Sequence, residues 1–259
     1  FGPSAEAVGF PDFPAVHQAL REGRVDQAAL PVENSLAGTA GLHDNWDILA
    51  QEHFHAVAET VVHVHHALMA LPGTTMADIV EVRTHPQPLI QCRRNLQALL
   101  PRATTVPAWD TAGSARLLAQ TKEPGVAVIA SKLAAETYGL EVLHMGMEDD
   151  PSNFTRFLFA SRQSAQVAQG VSAKTSLAFT LDNAGPGSLF RALGCFALRD
   201  IDLARIESRP IPGAPWRYRF FIDIRLAQGD PKAERALEHL GEMVTELSVL
   251  GTYPAWPES

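Results

Sequence analysis

The sequence predicts an α/β region followed by a smaller α+β sandwich. Three observations carry this. Residues 1–162 alternate short buried strands with capped amphipathic helices, the rhythm of a largely parallel sheet. Residues 161–173, SRQSAQVAQGVSA, are polar and read as a connection, with the linker proper at 163–173. Residues 174–259 then run strand, helix, strand, strand, helix, strand, the βαββαβ order of a ferredoxin-like sandwich.

Each element has a local cause. Asp12 precedes Phe13-Pro14, and Phe13, Val16 and Leu20 recur at helical spacing, so a capped helix starts there with proline in its first turn. QAALPV (27–32) reads as a buried strand, and the valine-rich 56–71 as extended chain. In HPQPLIQCRRNLQALLP, Leu89, Cys92, Leu96 and Leu99 form one stripe that Pro101 stops, which predicts a single amphipathic helix. Asp110 caps a helix to about Gln120; VAVIA (126–130) is a buried strand; Ser131 opens a helix that Gly139 ends. Phe154 to Ser161 is a strand with Thr155, Phe157 and Phe159 on one face and Phe154, Arg156 and Leu158 on the other. Beyond the connection, KTSLAFTL is a strand, and Pro186-Gly187 opens a helix with a Leu189, Leu193, Phe196 stripe. IDLARIESRP is a strand ended by Pro210. PWRYRFFIDIRL alternates with Trp216, Tyr218, Phe220, Ile222 and Ile224 on one face. A helix from Pro231 to about Val244 and a last strand, TELSVLGTYP, complete the order.

A formal charge of −8 argues against a nucleic-acid surface but not against anionic substrates. Two distant cysteines, Cys92 and Cys195, make no disulfide framework, and a reducing cytoplasm is the simplest home. No apolar run has the length of a membrane span. The chain opens on Phe1 without a methionine, so a preceding segment is expected.

Candidate chemistry clusters at strand ends, where α/β proteins keep their sites. PVENS supplies Glu33, Asn34 and Ser35; RTHPQ supplies Thr84 and His85, with Gln91 on the helix that follows. DTAGSA places Thr111 and Ser114 at a helix N-terminus, a seat for a carboxylate. NFTRF adds Thr155, Arg156 and Phe157. Neutral hydroxyls and amides with one firm cation suit a small polyanion, and no glycine-rich nucleotide loop is present. An arginine in an apolar run needs a partner or a ligand, and the preceding acids of DDPSN are the nearest partners in sequence. His63 and His65 share a strand face and could ligate a metal, but no acidic or cysteine partner stands at ligand spacing, so a partly exposed strand face is favoured. In the last third, Asn183 through Gly187, Ser188, Leu189 and Phe190 place a tight turn at a helix start, and Glu207, Ser208, Arg209 and Pro210 end a neighbouring strand. A loop and a strand end without a ligand fit equally well.

PVENS, THPQPLIQC, DTAGSA, YGLEVL and NFTRF, in this order, resemble the prephenate dehydratase family; GSLFRALG with DIDLARIESRP resembles the ACT regulatory domain that follows it. The resemblance implies a two-lobed catalytic part like a periplasmic binding protein over 1–162 and an ACT domain over 174–259. It implies conversion of prephenate to phenylpyruvate, with no redox cofactor and no metal. Thr155, Arg156, Asn34, Gln91 and Thr84 take catalytic roles under it, and Glu33, Ser35, Thr111, Ser114 and Phe157 bind substrate. Thr84 stands where the family commonly has serine. Glu33 or His85 would be the nominees on pKa grounds alone, but the resemblance places the donor to the leaving hydroxyl at Thr155. Residues 183–190 and 207–210 are expected to bind L-phenylalanine as allosteric effector, in a homodimer or homotetramer with no nucleic-acid or membrane partner. The family usually begins with a strand and a glycine-rich loop that this chain is expected to lack, Phe1-Gly2-Pro3 reading as the tail of a first helix. No chorismate mutase helices are present, so the enzyme reads as monofunctional. The alternatives are arogenate dehydratase, a non-catalytic small-acid sensor, and, on the histidines alone, a metal-dependent hydrolase.

Overall fold

A computed structural model describes residues 4–39, 42–168, 170–181 and 185–257. The expectations for Phe1-Gly2-Pro3 and for Asn183 fall outside these residues. In chain order the elements are α1 (Phe13–Arg21), β1 (Gln27–Asn34), α2 (His43–Gln51), β2 (His55–His63), β3 (Ala67–Ala70), β4 (Glu81–Thr84), α3 (Pro86–Gln91), α4 (Arg93–Leu99), β5 (Thr104–Pro107), α5 (Thr111–Thr121), β6 (Val126–Ala130), α6 (Lys132–Tyr138), β7 (Glu141–Met145) and β8 (Phe154–Ser161). They continue as β9 (Ala173–Thr180), α7 (Ser188–Ala197), β10 (Leu203–Ile211), β11 (Ala214–Ile224), α8 (Pro231–Gly241) and β12 (Glu246–Pro254). The chain forms two compact units, Phe1–Val61 with Arg156–Ser259, and Val62–Thr155. No helix among the described residues is long and apolar enough to cross a membrane.

The 62–155 unit is a five-stranded sheet of order β5-β4-β6-β3-β7. β4 runs parallel to β5 and β6, while β3 is antiparallel to both β6 and β7. Four strands are therefore parallel and β3 alone is reversed, close to the expected largely parallel sheet. Alternate residues feed two cores. Met69, Val126 and Val128 pack with α5 and α6, and Leu68, Ala127 and Ile129 pack with Cys92, Leu96 and Leu100. The expected caps are present. The Asp110 carboxylate accepts from Gly113 N at 2.7 Å, Ser131 Oγ accepts from Ala134 N, and Gly139 ends α6 at φ +67°.

The expected single helix over 86–100 is two. Cys92 leaves helical geometry at φ −111°, ψ 9°, and α4 starts anew. The cause is a second cap. Asp149 accepts from Arg94 N at 2.8 Å and from Asn95 N at 3.0 Å, which fixes an N-terminus there. Of the acids of DDPSN, Asp149 thus holds a helix and Asp150 accepts from Ser152, and neither pairs with Arg156.

The other unit carries two sheets, β1-β8-β2 and β10-β11-β9-β12. The second is antiparallel throughout, with α7 and α8 on one face, which is the expected βαββαβ sandwich. β9 is buried along its whole length. Leu177 and Phe179 face the helices, and Ala178 joins the second core, with Leu30, Trp46, Phe54, Ala56, Leu158, Phe221 and Tyr253. That shared core is why residues 163–172, which carry no helix or strand among those described, do not separate two compact bodies. β10 runs past Pro210 to Ile211 because it is an edge strand, where proline costs no ladder bond. In β11 only Phe220, Ile222 and Ile224 enter the helix-side core; Trp216 sits at φ +64° and 88 % exposed, so the local backbone breaks the expected alternation.

Gly251 marks the closest approach in this unit. It sits at a register shift in β12 with φ +145°, and a Cβ there would lie 2.1 Å from the Ala56 carbonyl oxygen. Gly251→Ala is expected to destabilise the fold by about 3 kcal/mol or more, from backbone strain plus overpacking. The midpoint of denaturant unfolding measures it; a midpoint equal to the parent's refutes the close approach.

Candidate active site

In the 62–155 unit the candidate groups gather at the carboxyl ends of β4, β5 and β6. The reversed β3 begins at that same edge, since Ala67 pairs with Ala130 and Met145. His66, the residue before β3, is thereby brought to Gln91 at the end of α3. Gln91 Oε1 lies 3.2 Å from His66 Nε2 and accepts from Asn153 Nδ2 at 3.2 Å. Glu148 accepts from His66 N at 2.9 Å and pairs with His65 Nδ1 at 3.1 Å. Burial pushes the His66 imidazole below its usual pKa, the Gln91 bond opposing. Asn153 is fully buried, and its carbonyl accepts from Val64 N at 2.7 Å.

Two expected site hydroxyls are spent elsewhere. Thr84 is fully buried and donates to the Ile129 carbonyl at 2.7 Å, tying the end of β4 to β6. Ser114 donates to the Asp110 carbonyl at 2.6 Å. The carboxylate seat at the start of α5, where Thr111 stands, already holds the Asp110 carboxylate, so the protein fills that seat itself. His85 caps α3, its Nδ1 accepting from Gln87 N at 3.2 Å. His63 stacks on Phe154 at 4.4 Å and lies 3.9 Å from the His65 ring. No group of three or more His, Cys, Asp or Glu among the described residues could hold a metal. Thr155 is half-buried at the start of β8.

In the other unit Asn34 ends β1 and shapes the turn beyond it. Its Oδ1 accepts from Leu36 N at 3.1 Å and Ala37 N at 2.9 Å, and its backbone pairs with Gly38. Ser35 is exposed in this turn, and Phe157 is half-buried on β8.

Arg156 departs most from expectation. Its side chain lies on the buried face of β8, 10 % exposed, and turns into the core instead of toward a ligand. Nε donates to Glu59 Oε2 at 2.8 Å, Nη1 to Asp223 Oδ2 at 2.6 Å and Nη2 to Tyr253 Oη at 2.9 Å; Glu33 lies 3.6 Å away. Ser176 Oγ donates to Asp223 Oδ1 at 2.5 Å and lies 2.6 Å from Tyr253 Oη, so the tyrosine is the donor to the serine. Arginine, tyrosine, serine and aspartate therefore close a ring of hydrogen bonds. Glu59 completes its second oxygen with Lys174 Nζ at 2.9 Å and Trp256 N at 2.7 Å. Burial works against the Arg156 charge, but Asp223 and Glu59 outweigh it and hold its pKa above the ordinary value. Both carboxylates meet protein cations, and all three guanidinium nitrogens of Arg156 have protein partners.

The expected effector residues split. Gly187 caps α7 at φ +87°, a conformation glycine adopts without strain, and Ser188 Oγ donates to the Gly185 carbonyl. Leu189 is part of the helix-side core and Phe190 is 80 % exposed. Glu207 accepts from Thr39 Oγ1 at 2.9 Å and from Arg205, and Arg209 pairs with Asp47 at 2.7 Å. Ser208 and Pro210 are exposed. Two members of this motif thus hold β10 against the loop and helix that follow β1.

Sequence reasoning missed Glu59, Asp223, Ser176 and Tyr253, and weighed His66 only among crowded histidines. The signal was present for one of them: Asp223 interrupts FFIDI at a position too apolar for an unpaired acid.

These features define an α/β small-molecule enzyme with a βαββαβ module and a candidate site of amides, imidazoles and a hydroxyl. The family model of prephenate dehydratase matches residues 1–165, and the chain belongs to this family, whose members are lyases. It is 40 % identical over 261 residues, 97 % of this chain and 67 % of the relative, to arogenate dehydratase/prephenate dehydratase 2, chloroplastic, of Arabidopsis thaliana. It is 39 % identical to arogenate dehydratase 2 of Petunia hybrida over 98 % of this chain and 66 % of that one. The chain thus spans about two thirds of these relatives' length. Among solved structures it superposes with a TM-score of 0.88 and 33 % identity on GqqA, described as a quorum quenching acylase, covering 98 % of this chain and 91 % of that one. It also superposes, with a TM-score of 0.83 and 33 % identity, on prephenate dehydratase of Arthrobacter aurescens in complex with L-Phe, covering 92 % and 78 %.

Two outcomes test this geometry. Asp223→Ala leaves a buried guanidinium short of its partner and is expected to cost about 3–5 kcal/mol of stability, read by denaturant unfolding. A loss within about 0.5 kcal/mol would sink the ring as described. The second concerns pH. The folded state holds His66 and His17 below their ordinary value of 6.5 through burial, so the unfolded chain binds protons more readily. Stability is then full above about pH 7 and falls as pH drops through the unfolded value toward the lower folded ones. His66→Gln is expected to flatten part of that slope in unfolding midpoints taken between pH about 5 and 8.

Proposed function

We propose that this protein converts prephenate to phenylpyruvate, carbon dioxide and water, with Thr155 as donor to the departing hydroxyl. The family match over residues 1–165, with Asn34, Gln91 and Thr155 intact at their motif positions, carries the reading. The ring carboxylate leaves as carbon dioxide, and its bonding electrons enter the ring. The bond to the ring hydroxyl breaks at the opposite carbon, and the ring becomes aromatic. One proton converts the departing hydroxide to water. Thr155 Oγ1 donates a hydrogen bond to that oxygen as charge builds on it, and water supplies the proton, because a threonine hydroxyl is too weak an acid to give up its own. Gln91 binds a polar group of the dianion, and Asn34 and Phe157 keep the roles that the family resemblance gives them. Charge spreads out as carbon dioxide forms, so a site closed to water favours the step. Thr84 supports the edge by its bond to Ile129.

The βαββαβ module reads as an ACT regulatory domain that takes L-phenylalanine at the turn leading to Gly187–Phe190 and at Glu207–Pro210. The complex of the Arthrobacter protein with L-Phe supports this. Binding that favours a less active state shifts the population toward it. Pairing of two or four chains suits such a module. Both cysteines are buried free thiols, with that of Cys92 pushed up to about 12 by burial, which suits a reducing compartment such as the cytoplasm. Arogenate is the second reading, favoured by the names of the plant relatives. It presents the same ring with an amine in place of the keto group.

The test is phenylpyruvate formation from prephenate, with and without L-phenylalanine. Thr155→Ala is expected to lower kcat by about 100-fold or more while the fold persists. Faster turnover of arogenate moves the assignment to that substrate. No turnover of either by folded protein overturns the lyase reading, and hydrolysis of acylated amines becomes the next assay, given the likeness to the acylase.

A further inference from the structure

We infer that His66 is a positioning residue which, with Asn153, turns the Gln91 amide so that its NH2 group faces the substrate as a donor. This rests on the dehydratase reading of the site. Gln91 Oε1 has two acceptor sites, and both are taken, by Asn153 Nδ2 and His66 Nε2, each at 3.2 Å. No hydrogen bond occupies Gln91 Nε2 among the described residues. With the imidazole protonated on Nε2, flipping the amide would set its NH2 against two other donors, so that tautomer and this amide orientation select each other. The arrangement requires the imidazole to carry its proton on Nε2.

The layer behind His66 is equally specific. Glu148, its side chain 6 % exposed, receives His66 N at 2.9 Å, and His65 pairs with the other oxygen. His66 also gives its carbonyl to Met147 N at 2.9 Å. The main chain of His66 is thus held on both sides, which fixes the point from which its ring reaches Gln91. A neutral imidazole suits this role, because burial resists a second proton. The consequence is that Gln91 reaches the dianion through N–H groups. Gln91→Glu, which offers an oxygen there, is predicted to repel the substrate while retaining the bonds to His66 and Asn153.

The experiment is a double-mutant cycle on prephenate turnover by the full chain. His66→Ala is expected to lower kcat/KM by about 10- to 100-fold. In a Gln91→Ala background the same change is expected to have little further effect, because His66 acts only through that amide. His66→Gln, whose NH2 can donate to the same oxygen, restores most of the rate. Losses that multiply in the double variant, or a His66→Ala enzyme with full kcat/KM, overturn the inference. A readout independent of turnover is the imidazole 15N spectrum. The inference expects a neutral ring protonated on Nε2 whose resonance moves in Gln91→Ala. A ring protonated on Nδ1 overturns it whether or not the enzyme turns over prephenate. Absent turnover with the expected spectrum removes the substrate assignment and leaves the amide orientation standing.

Discussion

The ring that joins Arg156, Tyr253, Ser176 and Asp223 is the constraint on which the larger unit depends. A buried charge is costly unless paired and fully hydrogen-bonded, and here each side-chain oxygen and nitrogen of the four ring residues has a stated partner. The residues come from β8, β9, β11 and β12, and Glu59 adds β2. No single strand can shift by a residue without breaking several bonds at once, so the ring fixes the register in which two sheets meet. Pairs of this kind add little net stability compared with a well-packed apolar core. Their contribution is uniqueness: one stacking satisfies all partners, and Thr155 is held next in sequence to the central guanidinium.

The smaller unit uses a different device. Its carboxyl edge is crowded with donors and acceptors, most of which serve the fold. Asp110 closes α5, Asp149 closes α4, and Thr84 ties β4 to β6. Once those are subtracted, the NH2 group of Gln91 is left without a hydrogen bond among the described residues, while its oxygen meets His66 and Asn153. Reversal of β3 makes this possible, since it starts the strand at the edge where the parallel strands end and so delivers His66 there.

Much of the fold was legible. Helix starts at Asp12, Asp110 and Ser131 and the stop at Gly139 follow from local chemistry that needs no tertiary context, and the βαββαβ order follows from periodicity. The split at Cys92 was not legible, because its cause is a carboxylate 55 residues away from Arg94. The role of Arg156 was half legible. Period two placed it with Leu158 on one face, but nothing in NFTRF says whether that face meets solvent, a ligand or another sheet. Lys174 and Ser176 pose the same problem: KTSLAFTL reads as a strand, but nothing in it says that both of its faces are covered. Motif positions for Asn34, Gln91 and Thr155 came from resemblance. The orientation of the Gln91 amide came only from its neighbours in space.

The double covering of β9 bears on modularity. Domains of this size are often treated as cassettes that recombination can trade between enzymes. Here the outer face of the cassette is wired to its host: Lys174 reaches Glu59, and Asp223 reaches Arg156. A foreign module with the same topology but without those two charges would strand an acid and a guanidinium in the host's interior. Descent of this chain therefore favours inheritance of both parts together, with the βαββαβ module and the sheet it covers changing in step.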